Sequence, residues 1–276
     1  MSTHPQDALL AALAWQIELG ADEAIAEAPI DRFAEMRPAL APAAPATRAA
    51  PAEPRGPDRD SGTTSDARPA PDVPDAAEVA QAAKTLEDLA EAMRTWPGSA
   101  LREGARSFVF CDGNPAARLM VIGEAPGAEE DRQGKPFVGR AGQLLDRMLA
   151  AIGLSRDAPA PEQAVYITNI LPWRPPGNRT PSEQEAAAFL PFVVRHIQLA
   201  DPDIVLTMGN TPTKALLATA TGIKRMRGNW VRHGATGKPL LPSFHPAYLL
   251  RQPGEKKLSW LDLIAVQRAL EDGAQV

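Results

Sequence analysis

One cysteine, Cys111, stands in 276 residues. A lone thiol excludes an intramolecular disulfide and any zinc or iron–sulfur site built from several thiolates, and it suits a reducing compartment; a cytoplasmic location is expected. Aromatic residues are scarce at 5%, whereas prolines number 28, so part of the chain is expected to stay outside any packed core. No apolar run reaches the roughly 20 residues of a membrane span, and Met1 to Ala14 lacks the basic start and apolar centre of a secretory signal. Neither export nor a membrane partner is expected. Excess positive charge is missing as well: the formal net charge is -5, which taken whole weighs against a nucleic-acid partner. That acidity is unevenly placed. Residues 1–83 carry 6 Lys and Arg against 14 Asp and Glu, a net of -8, and residues 84–276 carry 23 against 20, a net of +3.

What is present is apolar content of 44%, enough for one substantial core. Three segments are expected. Residues 1–36 hold a short helix marked by Leu9, Leu10, Leu13 and Ile17, with Gly20 at its stop. Residues 37–76 are a Pro- and Ala-rich linker, since Pro38 to Pro74 contains nine prolines among Ala, Asp, Arg, Ser and Gly. Residues 77–276 form the main domain. There "VAQAAKTLEDLAEAM" has helical spacing from Val79, and from Arg118 short apolar runs ("LMVI", "VYIT", "IVLT", "PLLPSF") alternate with helices starting near Gly139, Ser182, Asn210 and Leu258. This alternation predicts an α/β fold, a three-layer αβα sandwich around a mostly parallel four-stranded sheet. Ligands of such sheets gather at the carboxyl ends of the strands, and every motif below sits at one.

"GEAPG", Gly123 to Gly127, follows the first strand. Its glycines let backbone N–H groups approach a ligand and Pro126 stiffens the turn, although an ordinary strand-to-helix turn has the same composition. No GK[ST] follows and a third glycine is missing, so a nucleotide phosphate site is not indicated. Phe137, in "KPFVG", either stacks on a planar base or staples its own loop. Asn169, at the next strand end, offers an amide donor and acceptor matching a pyrimidine edge, or it ties down the loop that follows.

Thr180, Pro181 and Glu183 read as a helix start. Arg174, Asn178 and Arg179 on the preceding loop suit phosphate contacts. His245 precedes a proline and is expected in an extended conformation facing the cleft; its alternative is a loop hydrogen bond. Tyr248, Leu249 and Leu250, flanked by Arg251, Lys256 and Lys257, have the composition of a wedge driven into a base stack, with the start of a helix as the plainer reading for Leu250. Lys224, Arg225, Arg227 and Arg232 form a basic loop, either a solvated face or a phosphate contact.

Taken in order, "GEAPGAEED", "GKPFVGRAGQLLD", "TNILPWRPPGNRTP" and "HPAYLLR" resemble the uracil-DNA glycosylase superfamily, most closely its family 4 enzymes, over roughly residues 84–272. The resemblance implies uracil-containing DNA as the partner. By matched position it implies that Gly123, Ala125 and Gly127 present backbone amides to uracil, with Glu124 near the attacking water; Glu130 and Asp131 compete for that last role. It further implies that Phe137 stacks on the ring, Asn169 reads the amide edge, His245 bonds O2, and Leu249 fills the gap left by the flipped nucleotide; if the site is buried, desolvation favours a neutral imidazole at His245. A monomer is expected.

Two departures from the pattern matter. Family 4 enzymes hold an iron–sulfur cluster on four cysteines, whereas the matching places here are Trp96, Ser99, Trp173 and Phe189, so no cofactor is expected and packing takes over the cluster's role as a staple. Ala125 stands where the most active relatives carry aspartate. Relatives that trap DNA covalently carry a basic, histidine-bearing insertion after the Asn-containing strand, and Asn169 runs straight into "ILPWRPPGNR" without one. The expected activity is therefore monofunctional excision of uracil at the start of base excision repair. Its rivals are a non-catalytic reader of uracil in DNA, a glycosylase for hypoxanthine or xanthine, and a module whose N-terminal segment binds an unknown protein partner.

Overall fold

Four apolar runs, each five residues long, become strands in which every residue is buried: β2 (Leu119–Gly123), β3 (Val165–Asn169), β4 (Ile204–Met208) and β6 (Pro239–Ser243). Strands buried on both faces read as continuous hydrophobic runs, and they pair in parallel. The computed structural model describes residues 73–273. The N-terminal helix and the linker of the sequence reading lie outside the described residues.

With β1 (Cys111–Gly113) and β5 (Val231–Arg232), the sheet has six strands in the order β1-β3-β2-β4-β6-β5. The four expected parallel strands form its centre. The two short antiparallel edges, β1 and β5, correct the expectation of four. At three and two residues, neither fully buried, they carry too little alternation to be read from sequence.

Alternate residues of each central strand face opposite layers. Met120, Ile122, Tyr166 and Val205 join one core with Leu89, Met93, Phe189 and Phe192. These last come from α2 (Leu86–Thr95) and α6 (Glu183–Ala200). Leu119, Val121, Ile167 and Leu206 join the other core with Leu145, Leu149, Leu263 and Val266, from α5 (Arg140–Ala150) and α10 (Lys256–Glu271). Helices therefore cover both faces, as a three-layer αβα sandwich requires. The short helices are α1 (Ala76–Ala82), α3 (Leu101–Gly104), α4 (Ala128–Gln133), α7 (Asn210–Leu217), α8 (Ile223–Met226) and α9 (Pro246–Arg251).

Local chemistry explains three departures from the expected boundaries. The helix expected from Val79 is two, α1 and α2, because Thr85 caps α2 in a capping box with Asp88. The cap of α6 is Ser182 with Glu185, two residues beyond the expected Thr180 and Glu183; both quartets fit the pattern, and only the second closes both hydrogen bonds, at 3.1 and 2.8 Å. Tyr248 and Leu249, read as part of a wedge, lie on α9 together with Leu250, for which a helix is the plainer reading, since Pro246 takes its first position and His245 caps it.

Candidate active site

The first motif, Asn169 and His245 lie at the carboxyl ends of β2, β3 and β6, and the Phe137 loop lies beside them. All meet in one cavity of about 530 Å³ whose walls include Glu124, Ala125, Phe137, Asn169, His245 and Arg251. Phe137 is 5% exposed, Asn169 4%.

Gly123 makes the meeting possible. A Cβ at this position would stand 2.3 Å from the Asn169 Oδ1 and 2.5 Å from two ring carbons of Phe137, closer than any side chain tolerates. The Phe137 ring also stacks on the imidazole of His245, with centroids 5.5 Å apart and planes at 28°. Phe137 takes a φ of 52°, in the left-handed region that a bulky residue occupies only under constraint, at about 1–3 kcal/mol.

The carboxamide of Asn169 lines the cavity and makes no hydrogen bond to another described residue, so the loop tether that would explain it structurally is not made. A buried amide left open on a cavity asks for a ligand with a donor and an acceptor side by side. His245 is extended, with φ -67° and ψ 135°, and its Nδ1 accepts the N–H of Ala247 at 3.1 Å. That bond leaves the proton on Nε2 of the neutral ring, so Nε2 is a donor. Burial pushes the His245 pKa down to about 4; the charge of Arg251 adds to the shift and Glu130 opposes it.

The three carboxylates of the first motif separate by their partners. Glu130 accepts from the N–H groups of Gly127, Val138 and Gly139 at 3.1, 3.0 and 2.9 Å. Asp131, buried, accepts from Arg106 and Ser107 N–H at 2.8 and 3.0 Å. Both are occupied by backbone. Glu124 accepts one bond on Oε2, from the Thr211 hydroxyl at 2.7 Å, and lines the cavity. The amide of Gly127 is likewise committed to Glu130, which removes it from the donors expected to face a ligand.

The expected DNA contacts divide in the same way. Leu249 is fully buried against Leu144 and Phe244, so the expected wedge is corrected: this side chain is core, and withdrawing it would open a hole beneath α9. Tyr248 packs its ring 5.0 Å from Phe244. Arg174 donates to Asn178 at 2.7 Å within their own loop. Arg179 pairs in two-pronged fashion with Glu185 at 2.8 and 2.6 Å, and its hydrogen bonds pull the Glu185 pKa down to about 2. In the basic loop, Arg227 is held by Asp262, whereas Lys224 and Arg225 are exposed. They line, with Arg251, a second cavity of about 650 Å³ that shares Glu124 and His245 with the first. Arg251 makes no ion pair among the described residues.

Sequence reasoning missed Thr211, Arg156 and Asp112. Thr211 follows the carboxyl end of β4, so strand-end position could have found it; Arg156, which grips the Phe137 loop from beneath, carried no such signal.

The donor set at the four cluster positions does not fit an iron–sulfur group. Trp96, Trp173 and Phe189 are buried and Ser99 bonds the Leu101 N–H, and none offers a thiolate. Among the described residues no group of three or more His, Cys, Asp or Glu side chains could hold a metal ion. Trp96 meets Phe189 edge-on at 5.6 Å and Phe192 at 5.4 Å, while Trp173 meets Phe108 at 5.0 Å. Aromatic packing ties the early helices to α6.

Among the described residues no helix is long and apolar enough to cross a membrane. Residues 110–265 match the family model of the Uracil DNA glycosylase superfamily. A type-4 uracil-DNA glycosylase of Saccharolobus solfataricus is 37% identical over 192 residues, covering 67% of this chain and 86% of the relative. One of Thermotoga maritima is 36% identical over 170 residues, 60% of this chain and 83% of the relative. A type-5 uracil-DNA glycosylase of Thermus thermophilus is 33% identical over 156 residues, 51% and 70% of the two chains. With the matched family model spanning more than half its length, the chain belongs to the uracil-DNA glycosylase superfamily.

Proposed function

We propose that the protein excises uracil from DNA by hydrolysing the bond between the base and the deoxyribose, as a monofunctional glycosylase that opens base excision repair. The observation that carries this reading is the unpartnered, buried carboxamide of Asn169 beside the Phe137 ring and the His245 donor. The similarity to type-4 and type-5 uracil-DNA glycosylases supports it.

Uracil leaves its helix and lies on the Phe137 ring. Asn169 accepts from N3–H and donates to O4; cytosine reverses that pattern and leaves two buried groups unpaired. The bond from C1′ to N1 breaks with its electron pair going to the base, so negative charge grows on O2 and positive charge on the sugar. The Nε2–H of His245 and the N–H of Ala125 donate toward O2, and such donors stabilise the leaving anion more than the bound substrate. Glu124, its Oε2 fixed by Thr211, aims its second oxygen at the water that adds to C1′ and stabilises the developing sugar cation. The water loses one proton to solvent, and the departed uracil anion regains one. Arg251, Lys224 and Arg225 supply cations for the flanking phosphates.

The test is incubation of the full chain with oligonucleotides holding one uracil, hypoxanthine or xanthine, followed by alkali. Strand scission at uracil supports the reading. A band shift without scission replaces it with a non-catalytic reader, and scission confined to a purine lesion replaces the substrate.

A further inference from the structure

We propose that Arg156 is the positioning residue of the Phe137 ring, and through the ring of the flipped base. The proposal rests on the uracil reading for its substrate, and on geometry alone for the clamp. Arg156 follows α5 in a connecting loop, its side chain is 9% exposed, and it does not line the cavity. Its Nη1 donates to the carbonyl of Pro136 and its Nη2 to that of Phe137, both at 2.8 Å. The guanidinium is itself aimed by two carboxylates, Asp112 at 3.0 Å and Asp146 at 2.9 Å. Asp112 is also held by Lys135 at 3.1 Å, and although burial opposes ionisation, the hydrogen bonds from Arg156 and Lys135 keep its carboxyl below the usual range.

The opposite jaw is Glu130. While Arg156 takes the carbonyls of residues 136 and 137, Glu130 takes the N–H groups of residues 138 and 139. One backbone group from each of four consecutive residues is thus fixed by two side chains of opposite charge, one from each flank. Gly142 completes the seat: a Cβ there would fall 1.8 Å from the Phe137 carbonyl oxygen. The left-handed φ of Phe137 is what this grip holds in place. Edge strand β1 thereby gains a function, since it carries Asp112 to the guanidinium. A lysine at 156 would keep the charge and lose the planar fork, so it would release one of the two carbonyls.

The experiment is a double-mutant cycle between Arg156→Lys and Phe137→Ala, read as the single-turnover excision rate on a single-stranded uracil oligonucleotide. With Phe137 present, Arg156→Lys is expected to slow excision roughly ten- to hundredfold, the cost of misplacing a contact by about an ångström. In the Phe137→Ala background it should change the rate by no more than about twofold, the margin of independent sites. Equal losses in both backgrounds would overturn the proposal. Should Arg156→Lys fail to fold, Asp146→Asn is the milder variant and should show the same dependence on Phe137. Hydrogen exchange separates this idea from the uracil reading. The clamp predicts faster exchange at the Val138 and Gly139 amides in Arg156→Lys with the β2 amides unchanged, whether or not the wild type cleaves, and undisturbed protection at 138 and 139 would refute it.

Discussion

Gly123 and Phe137 touch as only a glycine allows, ring carbons of Phe137 standing 2.5 Å from where a Cβ at 123 would lie. Gly123→Ala should therefore push the ring away from Asn169 and His245. Excision is expected to fall roughly a hundredfold, with a loss of stability of about 1–3 kcal/mol from overpacking. Single-turnover kinetics beside urea denaturation measure both, and a wild-type rate would contradict the geometry.

The pH dependence follows from His245. In the proposed reaction its ring is neutral, and burial has lowered its pKa to about 4. The acid limb of kcat/KM assigned to this residue should lie near pH 4 and disappear in His245→Ala; a limb near the ordinary histidine value, about 6.5, would contradict the assignment. Stability has a matching sign. The unfolded chain takes up protons on His245 and on buried His196, whose pKa is pushed down to about 3, before the folded chain does. Urea midpoints should therefore fall as pH drops from about 6.5 toward 4, and a midpoint constant over that range would contradict the buried neutral state.

Leu249 separates a wedge from a core residue. Buried against Leu144 and Phe244, it should cost about 2–5 kcal/mol on truncation to alanine. Guanidinium denaturation of Leu249→Ala checks this. Unchanged stability with slowed excision on duplex DNA would restore the wedge.

The aromatic staple makes its own prediction. Trp96 packs on Phe189 and Phe192 and donates from Nε1 to the Pro74 carbonyl at 2.9 Å. Trp96→Ala should lose about 3–5 kcal/mol, and a chelator should leave the wild-type melting temperature where it was. A melting temperature lowered by chelation, with iron in the purified protein, would contradict the staple.

How far the sequence reached depended on range. The central strands were legible because burial on both faces leaves unbroken apolar runs, and the meeting of Asn169 and His245 in one cavity was foreshadowed by their places at strand ends, whereas Phe137 reaches that cavity from a loop between two helices. The edge strands were not, being two or three residues long. Glu130 and Asp131 could not be told from Glu124 because their partners are backbone amides, in the case of Asp131 24 and 25 residues away. Arg156 reaches back 19 and 20 residues to two carbonyls, a contact that no spacing rule contains. Leu249 misled because an apolar triplet beside cations has one composition whether it faces DNA or the core.

The central claim is that one buried amide, beside an aromatic ring and an imidazole donor, reads a base drawn out of DNA. Its most direct measurement is the single-turnover excision rate of wild type and Asn169→Ala on the same uracil oligonucleotide, with melting temperatures taken in parallel. The account predicts cleavage by the wild type and a loss of roughly 100- to 1,000-fold in the variant, at a melting temperature within a few degrees. An Asn169→Ala protein that cleaves as fast as wild type would contradict it.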